Sequence, residues 1–179
     1  EEIASRQAYA SIGQPILMQA YAREFSKYNL NVSQFLLTHE DLSNPKKIKN
    51  IKETYNHLIG KAIPIVNEND TTAIEELMFG DNDILSLQLL LKLNFDILIN
   101  YTKRGALIKD TKTINTTNVC NPKYFDYFQK SGTGFGGLAS KLEAAKQATE
   151  AGKQYIIAKA GDSIFDILSN KKPSTKFLT

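Results

Sequence analysis

Two short polar tetrads, Asn67-Glu68-Asn69-Asp70 and Gly80-Asp81-Asn82-Asp83, concentrate the groups in this sequence that are able to do chemistry. The first follows abruptly on the apolar run Ala62 to Val66, and the second opens the apolar segment that begins at Ile84. In open α/β sheets, binding groups collect in the crevice beyond the carboxyl ends of the strands. Carboxylates and carboxamides gathered there favour a ligand carrying an ammonium group, a metal ion, or both. Either tetrad alone is accounted for by Asn and Asp acting as turn formers and helix caps. Two of them bracketing one predicted hairpin point to a shared pocket. A third element is Gly132-Thr133-Gly134-Phe135-Gly136-Gly137, which runs into a predicted helix with Lys141 in its first turn. Backbone N–H groups at a helix amino terminus bind phosphate, and glycines let its oxygens approach. A lysine there neutralises the charge that redistributes during phosphoryl transfer. The run is not a P-loop, because no Gly-Lys-Ser/Thr follows it. Together the three elements predict transfer of a phosphoryl group to a small amino acid.

Composition narrows the setting. The 179 residues are 42% hydrophobic and 23% charged, which predicts one globular domain. A net charge of +3, spread along the chain, gives no argument for a nucleic-acid partner. Cys120 is the single cysteine, so neither a disulfide framework nor a thiolate metal site is expected, and the cytoplasm is the natural compartment. No apolar run is long enough for a membrane span, and no signal peptide is visible. His39, placed in a loop, and His57, on a helix, lack partners at ligand spacing, which argues against a zinc site or a catalytic triad. Lys46, Lys47, Lys49 and Lys52 read as a solvated helix face.

The elements that must position these residues follow from periodicity. A helical pattern runs from Ile3 to Asn29, with Leu17, Tyr21, Phe25 and Tyr28 near the 3.6-residue period and Pro15 accommodated in a first turn. A strand is expected over Val32 to Leu37, a helix over Lys46 to Leu58, a strand over Ala62 to Val66 and a hairpin or flap over Thr72 to Phe79. A helix over Asp81 to Asn94 and a buried strand over Phe95 to Asn100 come next. Tyr101 to Lys130 is polar and reads as a loop-rich excursion. The next helix spans Gly137 to Ala151, with Leu138, Leu142, Ala145 and Ala148 as its inner stripe and Gly152 as its cap. A strand over Gln154 to Ala158, a short helix over Ser163 to Ser169 and a terminal edge strand over Thr175 to Leu178 complete the chain. This alternation predicts an α/β fold with a parallel or mixed sheet covered on both faces.

Three runs carry a family resemblance. Ile63-Pro64-Ile65-Val66-Asn67-Glu68-Asn69-Asp70, Gly80-Asp81-Asn82-Asp83 and Gly136-Gly137-Leu138-Ala139-Ser140-Lys141-Leu142-Glu143-Ala144-Ala145 resemble the glutamate 5-kinases of the amino acid kinase family. Arg6-Gln7-Ala8, Ile12-Gly13-Gln14 and Leu36-Leu37-Thr38 match in the same order, so the similarity covers essentially the whole chain. It implies an open, mainly parallel sheet between helical layers, a three-layer sandwich. The implied activity is ATP-dependent phosphorylation of the L-glutamate γ-carboxylate, with Mg²⁺, feedback inhibition by proline and a homo-oligomer. Asp70 and Asn82 match substrate-binding positions, with Asn67 and Asp81 shaping the same pocket. Asp83 and Lys141 match catalytic positions. Tyr101, Thr102 and the run Phe135, Gly136, Gly137, Leu138, Ala139, Ser140 and Lys141 match the nucleotide site.

The sequence also departs from that pattern. Tyr101-Thr102 stands where the family has a Ser/Thr-Asp pair, and Phe135 replaces a hydroxyl-bearing residue. The family's opening strand, with its lysine and glycine-serine loop, has no counterpart, and neither does a later serine that contacts glutamate. The expectation is therefore one kinase domain, incomplete at its amino end and without a carboxyl-terminal accessory domain. A non-catalytic amino-acid-binding or regulatory homologue, or a sister kinase with another substrate, is the alternative.

Overall fold

The computed structural model describes residues 3–73, 81–109, 112–118 and 137–178. They fall into two compact units, 1–85 and 86–179, with the division inside one helix.

The first unit opens with α1 (Ile3–Ser26), which holds Pro15 in its interior rather than in a first turn. Proline offers no N–H to the carbonyl four residues back, and this stretch of α1 is solvent-exposed, so water can take the bond. The helix stops where Asn29 turns left-handed (φ 57°) and Leu30 N–H donates to the Phe25 carbonyl at 3.2 Å. After β1 (Val32–Leu37), Thr38 caps the short helix α2 (His39–Ser43), exchanging hydrogen bonds with Asp41 in a capping box. His39 therefore begins a helix instead of lying in a loop. Burial raises the pKa of Asp41, but hydrogen bonds from Lys47 and Thr38 outweigh it and hold the carboxyl below its ordinary value. Asn44 then caps α3 (Pro45–Leu58), whose first position is proline.

The chain returns as β2 (Ile63–Glu68), parallel to β1 in a register running from Val32↔Ile63 to Leu37↔Glu68. The sequence pattern ends this strand at Val66. It continues through Asn67 and Glu68 because β1 extends far enough to pair with both. A turn follows in which the Asn69 carbonyl accepts from Thr72 N–H at 3.0 Å and Ala73 N–H at 2.9 Å. Most of the expected 72–79 hairpin lies outside the described residues.

The helix α4 (Asp81–Lys92) contains the division between the units. It ends short of Asn94, which is left-handed (φ 60°) while Phe95 N–H donates to the Leu90 carbonyl at 2.9 Å. The second unit then comprises β3 (Ile97–Thr102), a small hairpin of β4 (Ile108–Lys109) and β5 (Lys112–Thr113), and β6 (Thr116–Asn118). These are followed by α5 (Gly137–Glu150), β7 (Gln154–Lys159), α6 (Ile164–Leu168) and β8 (Ser174–Leu178). Its main sheet has the order β3-β7-β8-β6. The β3–β7 and β6–β8 pairs are parallel, and β7–β8 is antiparallel. The α/β class and the parallel-rich sheets are as the alternation predicts.

Four details differ. The strand expected at 95–100 starts at Ile97, takes in Tyr101 and Thr102, and is half-exposed rather than buried. Residues expected to be loop supply β4, β5 and β6. Because β6 pairs alongside β8, the last strand is interior and not an edge. The α5 stripe is also broader than predicted, with Ala144 and Thr149 buried beside Leu142, Ala145 and Ala148.

The second unit carries the deeper core. Leu87, Leu90, Leu107, Leu142, Ala145, Ala148, Tyr155, Ile157 and Phe177 pack together on one face of the sheet, and Ile156, Ala158 and Ile167 on the other. Tyr155 and Phe177 meet edge to face at 5.8 Å. Thr175, fully buried on β8, anchors the polar excursion: its hydroxyl accepts from Leu107 N–H at 2.8 Å and donates to the Ile114 carbonyl at 2.6 Å. Replacing it with the near-isosteric valine strands a buried donor and a partly buried acceptor. Thr175→Val is expected to lose about 2–4 kcal/mol in urea denaturation, whereas a loss within error of zero would show that the hydroxyl does not anchor this segment.

Candidate functional site

In the first unit, α1 packs along the β1–β2 pair and leaves a cleft of about 290 Å³. Gln14, Leu17, Met18 and Tyr21 of α1, Gln34 of β1, Ile65, Val66 and Asn67 of β2, and Asn82 of α4 line it. Pockets for drug-sized ligands begin at ~300 Å³, so this volume suits an amino-acid-sized molecule and is small for a nucleotide. Among the described residues its lining side chains are neutral, and four of them are carboxamides. Leu17, Met18, Ile65 and Val66 supply the apolar part of the lining, and Tyr21 stacks on Phe25 with ring centres 6.4 Å apart.

Of the residues singled out from sequence, Asn67 and Asn82 line this cleft. Asp70 is half-buried on the turn after β2 and is not among the lining residues. Asp81 opens α4, and Asp83 is half-buried in its first turn. Glu68 is buried, with 7% of its surface exposed, and it makes polar or electrostatic interactions. Local patterning passed over Gln14 and Gln34 as site residues. A polar residue inside the apolar run of β1 is the signal that marks Gln34, while Gln14 is visible only through its position in Ile12-Gly13-Gln14.

In the second unit the parallel strands β3 and β7 end side by side at Thr102 and Lys159. The Thr102 hydroxyl is used locally: it accepts from Gly105 N–H at 2.8 Å and donates to the Gly105 carbonyl at 3.1 Å. Tyr101 donates its phenol to the Asp162 carbonyl at 3.1 Å. Burial, and then the nearby Asp162 carboxylate, push the Tyr101 pKa upward, so the phenol remains a neutral donor at neutral pH. Lys103, Arg104 and Lys159 are exposed around these strand ends and give them a cationic rim that local patterning did not single out. Gly137, Leu138, Ala139, Ser140 and Lys141 form the amino-terminal end of α5, the end at which a helix carries partial positive charge. Phe135 and Gly136 lie outside the described residues.

These features suit an anionic, phosphate-bearing ligand. Among the described residues no three His, Cys, Asp or Glu side chains cluster as a metal cage. Mg²⁺ bound with a nucleotide needs none, since one or two carboxylates and the phosphates hold it. No helix among the described residues is long and apolar enough to cross a membrane.

Comparison with known proteins finds relatives in sequence and in fold. The sequence profile of the amino acid kinase family matches residues 1–159. The chain is 38% identical to a glutamate 5-kinase of Aquifex aeolicus over 99% of its own length and 51% of that protein. It is 37% identical to a glutamate 5-kinase of Clostridium acetobutylicum over 98% of its own length and 70% of that relative. The chain thus spans about half the length of the first and somewhat more of the second. Among solved structures, a carbamate kinase of Giardia superposes with a TM-score of 0.65 at 18% identity, covering 98% of this chain and 71% of that one. The Giardia lamblia carbamate kinase bound to AMP-PNP superposes with a TM-score of 0.63 at 19% identity, covering 97% and 72%. At these identities the likeness establishes the fold.

The β3–β7 strand ends depend on one glycine. Gly105 is left-handed (φ +82°), and a Cβ there would stand 3.0 Å from the Cβ of Lys159. Gly105→Ala should therefore cost about 1–3 kcal/mol in thermal or chemical denaturation, and a melting temperature equal to that of the parent would show that the loop readily readjusts.

Proposed function

The chain belongs to the amino acid kinase family, and from that premise we propose that it phosphorylates the γ-carboxylate of L-glutamate with ATP, yielding γ-glutamyl phosphate. This is the first step of proline biosynthesis, carried out in the cytoplasm. The observation that carries the reading is the convergence of Asn67 and Asn82, the two amides marked by the motif resemblance, on one cleft of amino-acid size. The names of the relatives matched at 37–38% identity support it further.

The chemistry fits the residues. A γ-carboxylate is ionised near neutral pH, so it attacks without a general base. One of its oxygens forms the new bond to the terminal phosphorus of ATP as the bond to the β-phosphate oxygen breaks, and ADP departs. Catalysis then consists of holding the anions in line and offsetting their repulsion. In this reading Asn67 and Asn82 donate amide hydrogens to the acceptor, while Asp70 and Asp81 complete the substrate-binding set. Asp83 orients the reacting groups, and Lys141 balances charge on the transferring phosphoryl group. Tyr101, Thr102 and the 135–141 segment hold the nucleotide. Mg²⁺, when bound with ATP, supplies further neutralisation of the phosphates. Proline as a feedback inhibitor and assembly into a homo-oligomer belong to the same proposal.

One observation favours a second reading. The Thr102 hydroxyl is already tied to Gly105 on both its donor and acceptor sides, so it is poorly placed to serve a nucleotide. A homologue that binds an amino acid without transferring phosphate would have that property.

Glutamate-dependent ADP release with Mg²⁺-ATP, measured beside glutamate binding by calorimetry, decides between them. Asp83→Ala and Lys141→Ala are each expected to reduce turnover at least a hundredfold with little change in melting temperature. Parallel losses of activity and stability would remove the catalytic assignment. Asp70→Ala is expected to raise the KM for glutamate roughly tenfold and to leave the KM for ATP nearly unchanged; an unaltered glutamate dependence would exclude it from the substrate site.

A further inference from the structure

Resting on the nucleotide reading of the β3–β7 strand ends, we infer that Tyr101 is a positioning residue: its phenol fixes the 160–162 loop, and with Thr102 it presents the cationic rim to the phosphates of ATP without touching them. The loop is a tight turn. Ala160 N–H donates to the Thr102 carbonyl at 2.9 Å, one step beyond the last β3–β7 pair, and Asp162 N–H donates to the Lys159 carbonyl at 3.1 Å. Gly161 stands at the third position of that turn with φ +96°, as a type II turn requires. The next backbone acceptor, the Asp162 carbonyl, takes the Tyr101 phenol at 3.1 Å. The Asp162 carboxylate lies 4.0 Å from Lys172 Nζ, which adds a second tie from beyond α6.

Side-chain length decides which residue can do this. Tyr101 pairs with Ala158, well short of Asp162. A serine or threonine hydroxyl sits on Cβ and cannot span from β3 to that carbonyl, whereas a phenol carries its O–H at the far end of a rigid ring. Thr102 does the shorter task on the other strand-end loop, where its hydroxyl bonds both the N–H and the carbonyl of Gly105. The two adjacent hydroxyls thus hold two loops. Those loops meet at Gly105, where a Cβ would stand 3.0 Å from the Cβ of Lys159.

The same loops carry the cations. Lys103 and Arg104 lie between the two ends of the Thr102 tie, and Lys159 begins the turn that Tyr101 closes. Long lysine and arginine side chains lose rotamer freedom when they close on a phosphate, and a mobile backbone beneath them would add its own ordering cost. A backbone held before the ligand arrives removes that second cost. Burial, and then the Asp162 carboxylate, raise the pKa of the phenol, so it stays protonated and remains a donor at neutral pH. With both hydroxyls engaged by the loops, the phosphates are left to the cations. Tyr101 and Thr102 then serve the nucleotide through the backbone they hold.

Calorimetric titration of the chain with Mg²⁺-ATP, beside amide hydrogen exchange of the free protein, tests the tie. Tyr101→Phe removes only the hydroxyl. It is expected to weaken Mg²⁺-ATP roughly fivefold, to leave the dissociation constant for L-glutamate within error, and to speed exchange at the Asp162 amide before any ligand is added. A double-mutant cycle separates positioning from direct contact. Lys159→Ala should itself weaken Mg²⁺-ATP, and Tyr101→Phe added to it should cost clearly less than it does alone, because the phenol acts through the turn that carries the lysine. Full additivity, or weaker Mg²⁺-ATP binding with unchanged exchange at Asp162, would mean that Tyr101 touches the nucleotide and would overturn the inference. An unaltered affinity in Tyr101→Phe would overturn it too, as would a loss shared equally by both ligands and the melting temperature. If Mg²⁺-ATP does not bind the parent protein, the nucleotide reading of these strand ends falls and this inference with it.

Discussion

A parallel pair of strands cannot be closed by a tight turn; its members must be joined by a crossover of a dozen or more residues. That constraint organises both units. β1 and β2 are parallel and are joined through α2 and α3, while β3 and β7 are parallel and joined by a connection whose last element is α5. Strands that run the same way also finish at the same edge. Leu37 stands beside Glu68, and Thr102 beside Lys159. Each pair thus gathers, at one line, the residues that follow two segments far apart in sequence. The polar side chains collect there because each strand must end in a turn whose backbone groups need partners. Thr38 and Asp41 cap α2, Asn69 closes the turn after β2, and Thr102 closes the loop to Gly105.

What local patterning reveals of this arrangement depends on whether a signal is local. The helices α3 and α5 are legible because their caps and stripes are short-range: Asn44 with Pro45 at one start, Gly152 with its left-handed φ at one end. Strand boundaries are less so, since a strand extends as far as its neighbour can pair. Asn67 has a turn-forming side chain and Glu68 a charged one, yet both belong to β2 because β1 offers Leu36 and Leu37 opposite them. The interior position of β8 is likewise invisible locally. It depends on β6, three polar residues with no strand-like alternation, being drawn alongside through the Thr175 hydroxyl and the Lys176 N–H bond to Asn115. For the site, the motif resemblance singles out Asn67 and Asn82 directly. The Gln14–Gln34 contact joins a helix to a strand 20 residues away, and no spacing rule reports such a pair.

The distribution of charge follows from the chemistry proposed for each unit. The cleft of the first unit is lined by carboxamides and apolar groups, whereas the strand ends of the second unit carry Lys103, Arg104 and Lys159. An arginine or lysine paired with an attacking carboxylate would hold its electrons in the ground state and lower its nucleophilicity. Such an interaction binds substrate as well as transition state and gains nothing in rate. Neutral amides hold the same carboxylate with directional hydrogen bonds and release more of its charge to the forming bond. Cations belong instead with the phosphates, where negative charge is redistributed as the bond to the leaving group breaks. A cleft rich in amides and a cationic set of strand ends are therefore what carboxylate phosphorylation asks of the two ligands separately. The neutral side chains that line the cleft among the described residues are then what the proposed reaction would select.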